Sequence, residues 1–589
     1  MSFDEFFARA TGGLRPFPYQ RIIADRGEVP WLLDAPTGAG KTAAAVLGWL
    51  WRRRVHPDRA IRAATPRRLV YCLPMRVLVE QTVGNAREWL TNLDLLATAP
   101  GEPGRVGVYQ LMGGQVEMDW DAWPEADAIL VGTQDQLLLR GLNRGYSMSR
   151  YRWPVDFGLL NNDCLWVMDE VQLMGAGLPT TSQLHAFRNR FVTHGPVASL
   201  WMSATLSHDR IATVDAPSSD ELTARTLSLT DDDRQDEQLA GRLQASKPLR
   251  KLDLALTSGT RRTYASKLAE EVAEAHETGS LTLVVMNQVK RAQELALALR
   301  EDPPAEVVLL HSRFRAAERR RLQEKLEAEL PEAGRVVVST QAVEAGVDIS
   351  ARTLFTELAP WSSLVQRFGR CNRRGEWSAE EAAVHWIDLQ TDEAPYDEAH
   401  LELARELLQD LDDAGISAVG GIEDPTPAEP TQVLRRRDLL ELFDTTPDLA
   451  GNDIDVSPFI REVDDLDVSV LWRDIEEETA AAPAPEELCT VRLPTFDDFI
   501  DSLSTDVPPP QVWDGLEDQW VAVDRLRPGM TVLLDVAAGG YDPELGWWPD
   551  AECDVLPVAL SVFDQPEVEG YDDDQLTMAR RFVTLSEHA

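Results

Sequence analysis

The sequence runs to 589 residues with 99 Asp and Glu against 57 Lys and Arg, a formal charge of -42; that length calls for several domains of about 100–200 residues each. A hydrophobic content of 44% with 17 Trp excludes a wholly disordered chain. Met1 to Ala10 carries Asp4 and Glu5 and no apolar stretch, and the longest apolar run, Ala43 to Trp51, is far short of a membrane span.

Cys72, Cys164, Cys371, Cys489 and Cys553 are scattered without CxxC spacing, which argues against a disulfide framework or a thiolate zinc site and for a reducing cytoplasm. From about residue 29 to 390 apolar β-rich runs alternate with helical patterns, the mark of parallel α/β layers. The first series of expected strands is Val29–Leu33, Leu69–Leu73, Ala128–Val131, Cys164–Met168 and Ala198–Met202. A charged stretch around Asp231 to Glu237 follows, expected as a linker or loop. The second series is Leu281–Met286, Glu306–Leu310, Arg335–Ser339, Thr353–Glu357 and Ala383–Leu389. Beyond it, acidic helical segments are broken by proline, and the turn Arg527 to Met530 leads into an expected strand, Thr531–Leu534, with Gly539-Gly540 ending it. The expected architecture is α/β: two tandem parallel-sheet domains over 1–225 and 251–390, an acidic linker over 226–250, and an acidic mixed α+β region over 391–581.

Ala35-Pro36-Thr37-Gly38-Ala39-Gly40-Lys41-Thr42 follows an expected strand and opens an expected helix. It reads as a phosphate-binding loop with Ala at its first position: glycines let backbone amides approach phosphates, Lys41 adds a point charge, and the Thr42 hydroxyl is placed to ligate Mg²⁺. A later strand ends in Asp169-Glu170-Val171-Gln172, where Asp169 is expected to hold the metal and Glu170 to orient or deprotonate the attacking water. Ser203-Ala204-Thr205 follows the next strand, with hydroxyls that could link the nucleotide to a bound strand. In the second domain, Gln366-Arg367-Phe368-Gly369-Arg370-Cys371-Asn372-Arg373-Arg374 places Arg370 and Arg373 three apart, as arginine fingers across a cleft. So dense a run of guanidinium groups is not expected in a core helix, since each needs a counter-charge or water.

The ordered series of Gln20 after Pro16-Phe17-Pro18-Tyr19, the loop at Lys41, Pro74-Met75-Arg76, Asp169-Glu170, Ser203-Ala204-Thr205 and Gln366 to Arg373 resembles a superfamily 2 helicase, with two RecA-like domains. Val131 to Gln136, Asp169 to Met174, Leu310-His311-Ser312-Arg313-Phe314 and Val338 to Asp348 are similar to the helicase of the type I CRISPR helicase-nuclease, and Leu439 to Asp455 to its subtype I-G, once called I-U. The resemblance implies an ATP- and Mg²⁺-dependent motor, recruited by a surveillance (Cascade-type) complex at an R-loop, that pulls single-stranded DNA 3′ to 5′. It implies that Gln20 reads adenine, Asp348 the ribose and Gln366 the γ-phosphate region. Thr37, Gly38, Ala39, Gly40, Lys41, Thr42 and Arg367 complete the nucleotide site. Arg76, Gly113, Gly114, Thr133, Asp135, Ser203, Thr205, Asn287, Arg313 and Thr340 would lie along the strand, gripping phosphates without reading bases. His311 is expected as a packed strand-end histidine, and helix Arg315–Leu330 as a solvated face.

The family's nuclease half is a metal-dependent HD domain, whose ligand cluster the 9 histidines do not form; His208-Asp209 reads as incidental. Phe582 to Ala589 resembles the first helix of such a domain, so a protein cut at the edge of a nuclease is one expectation and an ordinary tail the other. Two alternatives to the CRISPR motor are a general superfamily 2 RNA or DNA helicase and a non-hydrolysing nucleic-acid-binding adaptor. The adaptor has no need of an intact Lys41, Glu170, Arg370 and Arg373. Residues 391–589 hold 49 acidic and 11 basic side chains, leaving 50 against 46 before them. The acidity that argues against a nucleic-acid partner therefore lies outside the motor segment.

Overall fold

The computed structural model describes residues 1–553 apart from 113–114, 117–119, 146–149, 204–207, 216–217, 345–347, 428–431, 445–453, 462–466, 476–481, 515–518 and 523–524. The chain divides into two compact units. One comprises Met1–Asp253, Glu344–Asp388 and Tyr396–Val463; the other comprises Leu254–Val343, Leu389–Pro395 and Asp464–Ala589.

The first unit is built on an eight-stranded sheet: β1 (Leu32–Asp34), β2 (Arg68–Leu73), β3 (Val106–Met112), β4 (Gln115–Val116), β5 (Asp127–Thr133), β6 (Cys164–Asp169), β7 (Val197–Ser203) and β8 (Thr226–Ser228). The spatial order is β4-β3-β5-β2-β6-β7-β1-β8, parallel except for the β3–β4 hairpin. Strands β2, β5 and β6 are buried along their whole length, as central parallel strands covered on both faces must be. Their side chains alternate between two cores: Leu69, Tyr71 and Leu73 enter one, Val70 and Cys72 the other. The five expected strands are present; β3, β4 and β8 are additional, the first masked by half-buried polar positions and the others by their shortness.

Acidic residues in the stretch 231–237 serve as helix caps. Thr230 and Asp233 form a capping box on helix Asp231–Gln235, and Asp236 accepts from the amides of Gln238 and Leu239 to start helix Glu237–Gln244. Asp233 is fully buried and also accepts from the Tyr19 amide at 2.9 Å. Further along, Leu434, Leu439, Leu442, Val456, Phe459 and Ile460 pack into the same core as Val70 and Trp166.

β9 (Leu249–Leu256) precedes β10 (Leu281–Val285), β11 (Glu306–Leu310) and β12 (Arg335–Ser339), which lie in the second unit in parallel order β11-β12-β10. In the first unit β13 (Thr353–Glu357) pairs in parallel with β14 (Ala383–Leu389). The second unit ends in a mixed sheet of β15 (Asp467–Arg473), β16 (Cys489–Arg492), β17 (Gln511–Asp514), β18 (Gln519–Ala522) and β19 (Thr531–Asp535), ordered β16-β15-β19-β17-β18. Its core gathers Val470, Trp472, Phe496, Val532, Tyr541 and Trp547. The architecture is thus α/β, with two parallel RecA-like sheets and a mixed C-terminal sheet. Among the described residues no helix is long and apolar enough to cross a membrane.

Candidate functional site

Register decides which residues meet in the first unit. Leu73 pairs with Thr133, Cys72 with Met168, Asp169 with Met202, and Asp34 with Ser203. The loops after these parallel strands therefore leave one edge of the sheet, bringing together the Lys41 loop, Arg76, Thr133, Asp135, Glu170 and Ser203. Binding sites of open parallel sheets lie at that edge.

A cavity of about 300 Å³ opens there, lined by Thr37, Gly38, Gly40, Lys41, Thr42, Asp169, Glu170, Arg242, Asp348, Arg370 and Arg373 among others. Gly38 and Gly40 hold φ of +84° and +80°, which L side chains rarely adopt, and helix Lys41–Leu50 starts directly behind them. Lys41 is buried and its Nζ lies 3.5 Å from Glu170 Oε1, yet Nζ has no hydrogen-bond partner. The same holds for the buried Nη1 of Arg373, whose Nε sits 3.3 Å from the exposed Asp348. Two buried cationic nitrogens without hydrogen bonds in one cavity are an expensive arrangement that an anionic ligand relieves.

The carboxylates opposite are held in a hydrogen-bonded chain. Tyr71 donates to Asp169 Oδ2 at 2.7 Å, and the Glu170 amide donates to Asp169 Oδ1 at 2.9 Å. Ser203 donates to Gln172 Oε1 at 2.9 Å and Gln172 to Glu170 Oε2 at 2.6 Å; Gln366 donates to that same oxygen at 3.4 Å and accepts from Thr37 at 3.5 Å. Glu170 itself stands at φ +52°, a sparsely populated conformation for a non-glycine residue that functional sites sustain. Burial, then the adjacent Glu170 charge, raises the Asp169 carboxyl above its ordinary range, with Lys41 and Tyr71 pulling back. Thr42 and Asp169 offer hydroxyl and carboxylate oxygens, the donor set that suits Mg²⁺.

Other expected residues are placed differently. Gln20 is buried, accepting from the Phe17 amide and donating to the Gly40 carbonyl, both at 2.9 Å. Arg370 lines the cavity and donates to the Glu344 carbonyl at 2.8 Å. Arg367 lies outside the cavity lining and is fully buried: it pairs with Glu344 at 2.8 Å and donates to Thr356 Oγ1 and the Glu357 carbonyl at 3.0 Å and to Tyr396 at 3.2 Å. A guanidinium thus does enter this helix's core, because a buried carboxylate was available. Asp135 pairs with Arg461 at 2.8 Å. Gly113, Gly114 and Thr205 lie outside the described residues, as do Gly346 and the 582–589 segment.

In the second unit the register Leu310↔Ser339↔Val285 puts Asn287, Arg313 and Thr340 just past one edge of that unit's own strands. The hairpin from Tyr541 to Trp547, packed into the core of the C-terminal sheet, grips the loop after β11. Trp547 N–H donates to the Arg313 carbonyl at 2.9 Å, Gln293 donates to the Leu545 and Trp547 carbonyls at 2.7 and 2.9 Å, and His311 Nε2 lies 2.9 Å from the Leu545 carbonyl. Since His311 Nδ1 accepts from the Arg313 amide, Nε2 carries the proton, and burial lowers the ring's pKa to about 3. His311 is therefore packed, as expected. Arg315 differs from its expected solvated setting: it is buried, ion-paired to Glu318, and its amide donates to the Tyr541 hydroxyl, which donates to Glu318.

Two families match the sequence: residues 19–214 match the DEAD/DEAH box helicase, and residues 278–376 the CRISPR-associated nuclease/helicase Cas3, C-terminal. Over these stretches the chain is similar to Cas3 proteins. It is 28% identical over 426 residues to the putative CRISPR-associated nuclease/helicase Cas3 of Myxococcus xanthus, covering 68% of this chain and 50% of that protein. It is 35% identical over 161 residues to the CRISPR-associated helicase Cas3 of Thermoproteus tenax, covering 26% and 27%. The chain thus spans half or less of these curated relatives. The crystal structure of T. fusca Cas3-AMPPNP superposes with a TM-score of 0.58 at 17% identity, covering 90% of this chain and 68% of that one. A CRISPR RNA-guided surveillance complex in its pre-nicking state contains a chain that superposes at 0.52 with 18% identity, covering 91% and 71%. These likenesses concern the fold.

Arg242 was missed by sequence reading. It lies in the stretch taken for a linker, outside both matched families and outside every recognised motif.

Proposed function

We propose that this chain is an ATP-hydrolysing single-strand DNA translocase of CRISPR interference, acting on DNA displaced at an R-loop by a surveillance complex. The observation that carries the reading is the pair of buried nitrogens, Lys41 Nζ and Arg373 Nη1, left without hydrogen bonds in a cavity whose far side presents Glu170. Lys41 and the amides of the Gly38–Thr42 turn bind the β- and γ-phosphates, and Arg373 with Arg370 neutralises charge on the oxygens of the transferring group. Glu170 accepts the proton of the attacking water as the bond to ADP breaks, giving ADP and phosphate. Gln172 and Gln366 hold its Oε2 so that Oε1 is aimed into the cavity. Thr42 and Asp169 would hold Mg²⁺, which when bound supplies further charge neutralisation at the phosphates.

The hydrogen-bonded chain from Thr37 through Gln366, Glu170 and Gln172 to Ser203 supports coupling of hydrolysis to the strand. Arg76 and Thr133 in the first unit, and Asn287, Arg313 and Thr340 in the second, each contact strand phosphates in a way indifferent to base. The subtype I-G assignment rests on the Leu439 to Asp455 resemblance.

The test is ATP turnover with no nucleic acid, single-stranded DNA or RNA. Stimulation by DNA over RNA is expected, and a Glu170→Gln variant should bind nucleotide normally while turning over about 10²- to 10⁴-fold more slowly. Equal turnover with and without DNA removes the translocase reading, and preferential stimulation by RNA replaces it with a general RNA helicase.

A further inference from the structure

We propose that Arg242 is a positioning residue for the polyphosphate of a nucleoside triphosphate, acting through the carbonyl of Gly38. The inference rests on the ATP site proposed above and adds to it a residue that neither matched family covers.

Helix Glu237–Gln244 is fixed to the first unit by Leu239 and Leu243, both buried in its core, and by Ser417, which donates to the Leu243 carbonyl at 2.6 Å. Arg242 stands on the same helix off that apolar face, half-buried, and lines the cavity with Lys41 and Arg373. Its Nη1 donates to the Gly38 carbonyl at 2.7 Å. The next two carbonyls of the loop are also taken by side chains: Ala39 accepts from the Tyr19 hydroxyl at 2.7 Å and Gly40 from Gln20 at 2.9 Å.

A trans peptide points its carbonyl and the following amide in opposite directions. The Gly38–Ala39 peptide is pinned at both ends, its oxygen by Arg242 and its amide by the Pro36 carbonyl at 3.3 Å. Tying back the Ala39 and Gly40 oxygens turns the amides of Gly40 and Lys41 the other way. Two glycines at positive φ give this loop more freedom than any other residue would. Three consecutive side-chain donors remove it before the anion arrives, and pre-organisation of this kind appears as affinity. Of the three donors, Tyr19 and Gln20 adjoin a recognised motif; Arg242 alone comes from distant sequence. Its charge also counts: Lys41, Arg242, Arg370, Arg373 and Arg374 line the cavity against Asp169, Glu170 and Asp348, so it holds more positive charge than its own carboxylates settle.

The experiment compares the full chain with Arg242→Ala and Arg242→Lys, reading the dissociation constant of a fluorescent N-methylanthraniloyl ATP, the KM and kcat of turnover, and the melting temperature. Arg242→Ala should weaken nucleotide binding and raise KM by about tenfold, with kcat at saturating ATP within about threefold and the melting temperature unchanged, because an interaction equal in ground and transition states moves KM alone. Arg242→Lys, which keeps the charge and an N–H donor for the Gly38 carbonyl, should recover most of the loss. An unchanged dissociation constant in Arg242→Ala, or a Lys variant no better than Ala, overturns the proposal. A wild-type chain that binds nucleotide without hydrolysing it would sink the motor reading and leave the binding comparison still decisive for Arg242.

Discussion

Arg367 and Arg373 stand six positions apart, and their surroundings could hardly differ more. Every nitrogen of Arg367 has a protein acceptor, from Glu344, Thr356, Glu357 or Tyr396. Burial works against its charge, yet Glu344 and the other neighbours outweigh it and raise the pKa. At Arg373 burial is the larger influence, Asp348 offsets it only in part, and the pKa falls. One guanidinium completes a core; the other has an exposed carboxylate at its Nε and a buried Nη1 left open to a further anion. Arg367 is 0% and Arg373 18% exposed at the side chain, a small difference beside that in the count of satisfied donors.

Three substitutions and conditions press on that contrast, in descending order of expected effect. Arg373→Ala should cut DNA-stimulated turnover by about 10³-fold or more, as loss of an arginine finger does, while stability changes by less than about 1 kcal/mol; turnover and denaturant unfolding measured on the same preparation decide it. A large loss of stability would place Arg373 with Arg367. Glu344→Ala strands Arg367 in the core and should cost about 3–5 kcal/mol, seen as a lowered unfolding midpoint without a change in the slope. If that variant unfolds normally, the four-partner cluster is not a structural element.

The third is a pH effect from a fully satisfied base. His311 is depressed from 6.5 to about 3 by burial, and His185 to about 4 by burial with Arg188 and Arg225 adding to it. Below pH 6.5 the unfolded chain takes up protons that the folded rings refuse, so stability falls as the pH drops from 6.5 toward 3 and is indifferent to these groups above 6.5. Each ring contributes a slope of at most about 1.4 kcal/mol per pH unit. Unfolding measured between pH 7 and 4.5 should show a shallower acid slope for His311→Gln than for the unaltered chain; equal slopes would mean that the ring is protonated in place.

Much of the site was legible because its chemistry is local. The Pro36 to Thr42 loop, the Asp169-Glu170 strand end and the second series of strands are each written in consecutive residues whose spacing carries the geometry. Arg242 was not, since its meaning depends on a hydrogen bond to a loop 204 residues away, and the Asp231–Glu237 acidity around it reads as solvation until Asp233 is seen buried against the Tyr19 amide. Arg367 misled for the same reason: Glu344, its counter-charge, sits 23 residues upstream. Strand β9 hides because its partly exposed alternation of charged and apolar residues, Leu249 to Leu256, lacks the continuous apolar run of a central strand. The leucines at 434, 439 and 442 look like parts of an acidic tail, although they complete the core beneath β2 and β6.

The seating of Tyr541 and Trp547 on the loop from His311 to Arg315 has a consequence for inheritance. Gly546 stands at φ +71°, and a Cβ there would come within 2.4 Å of the Arg313 oxygen, so the turn admits no side chain without moving the loop. Tyr541 and Glu318, 223 residues apart, share one proton donor and one acceptor. Tyr541→Phe would leave the buried Arg315 amide without its acceptor and Glu318 without one donor, so two distant stretches of the gene bear on one buried cluster.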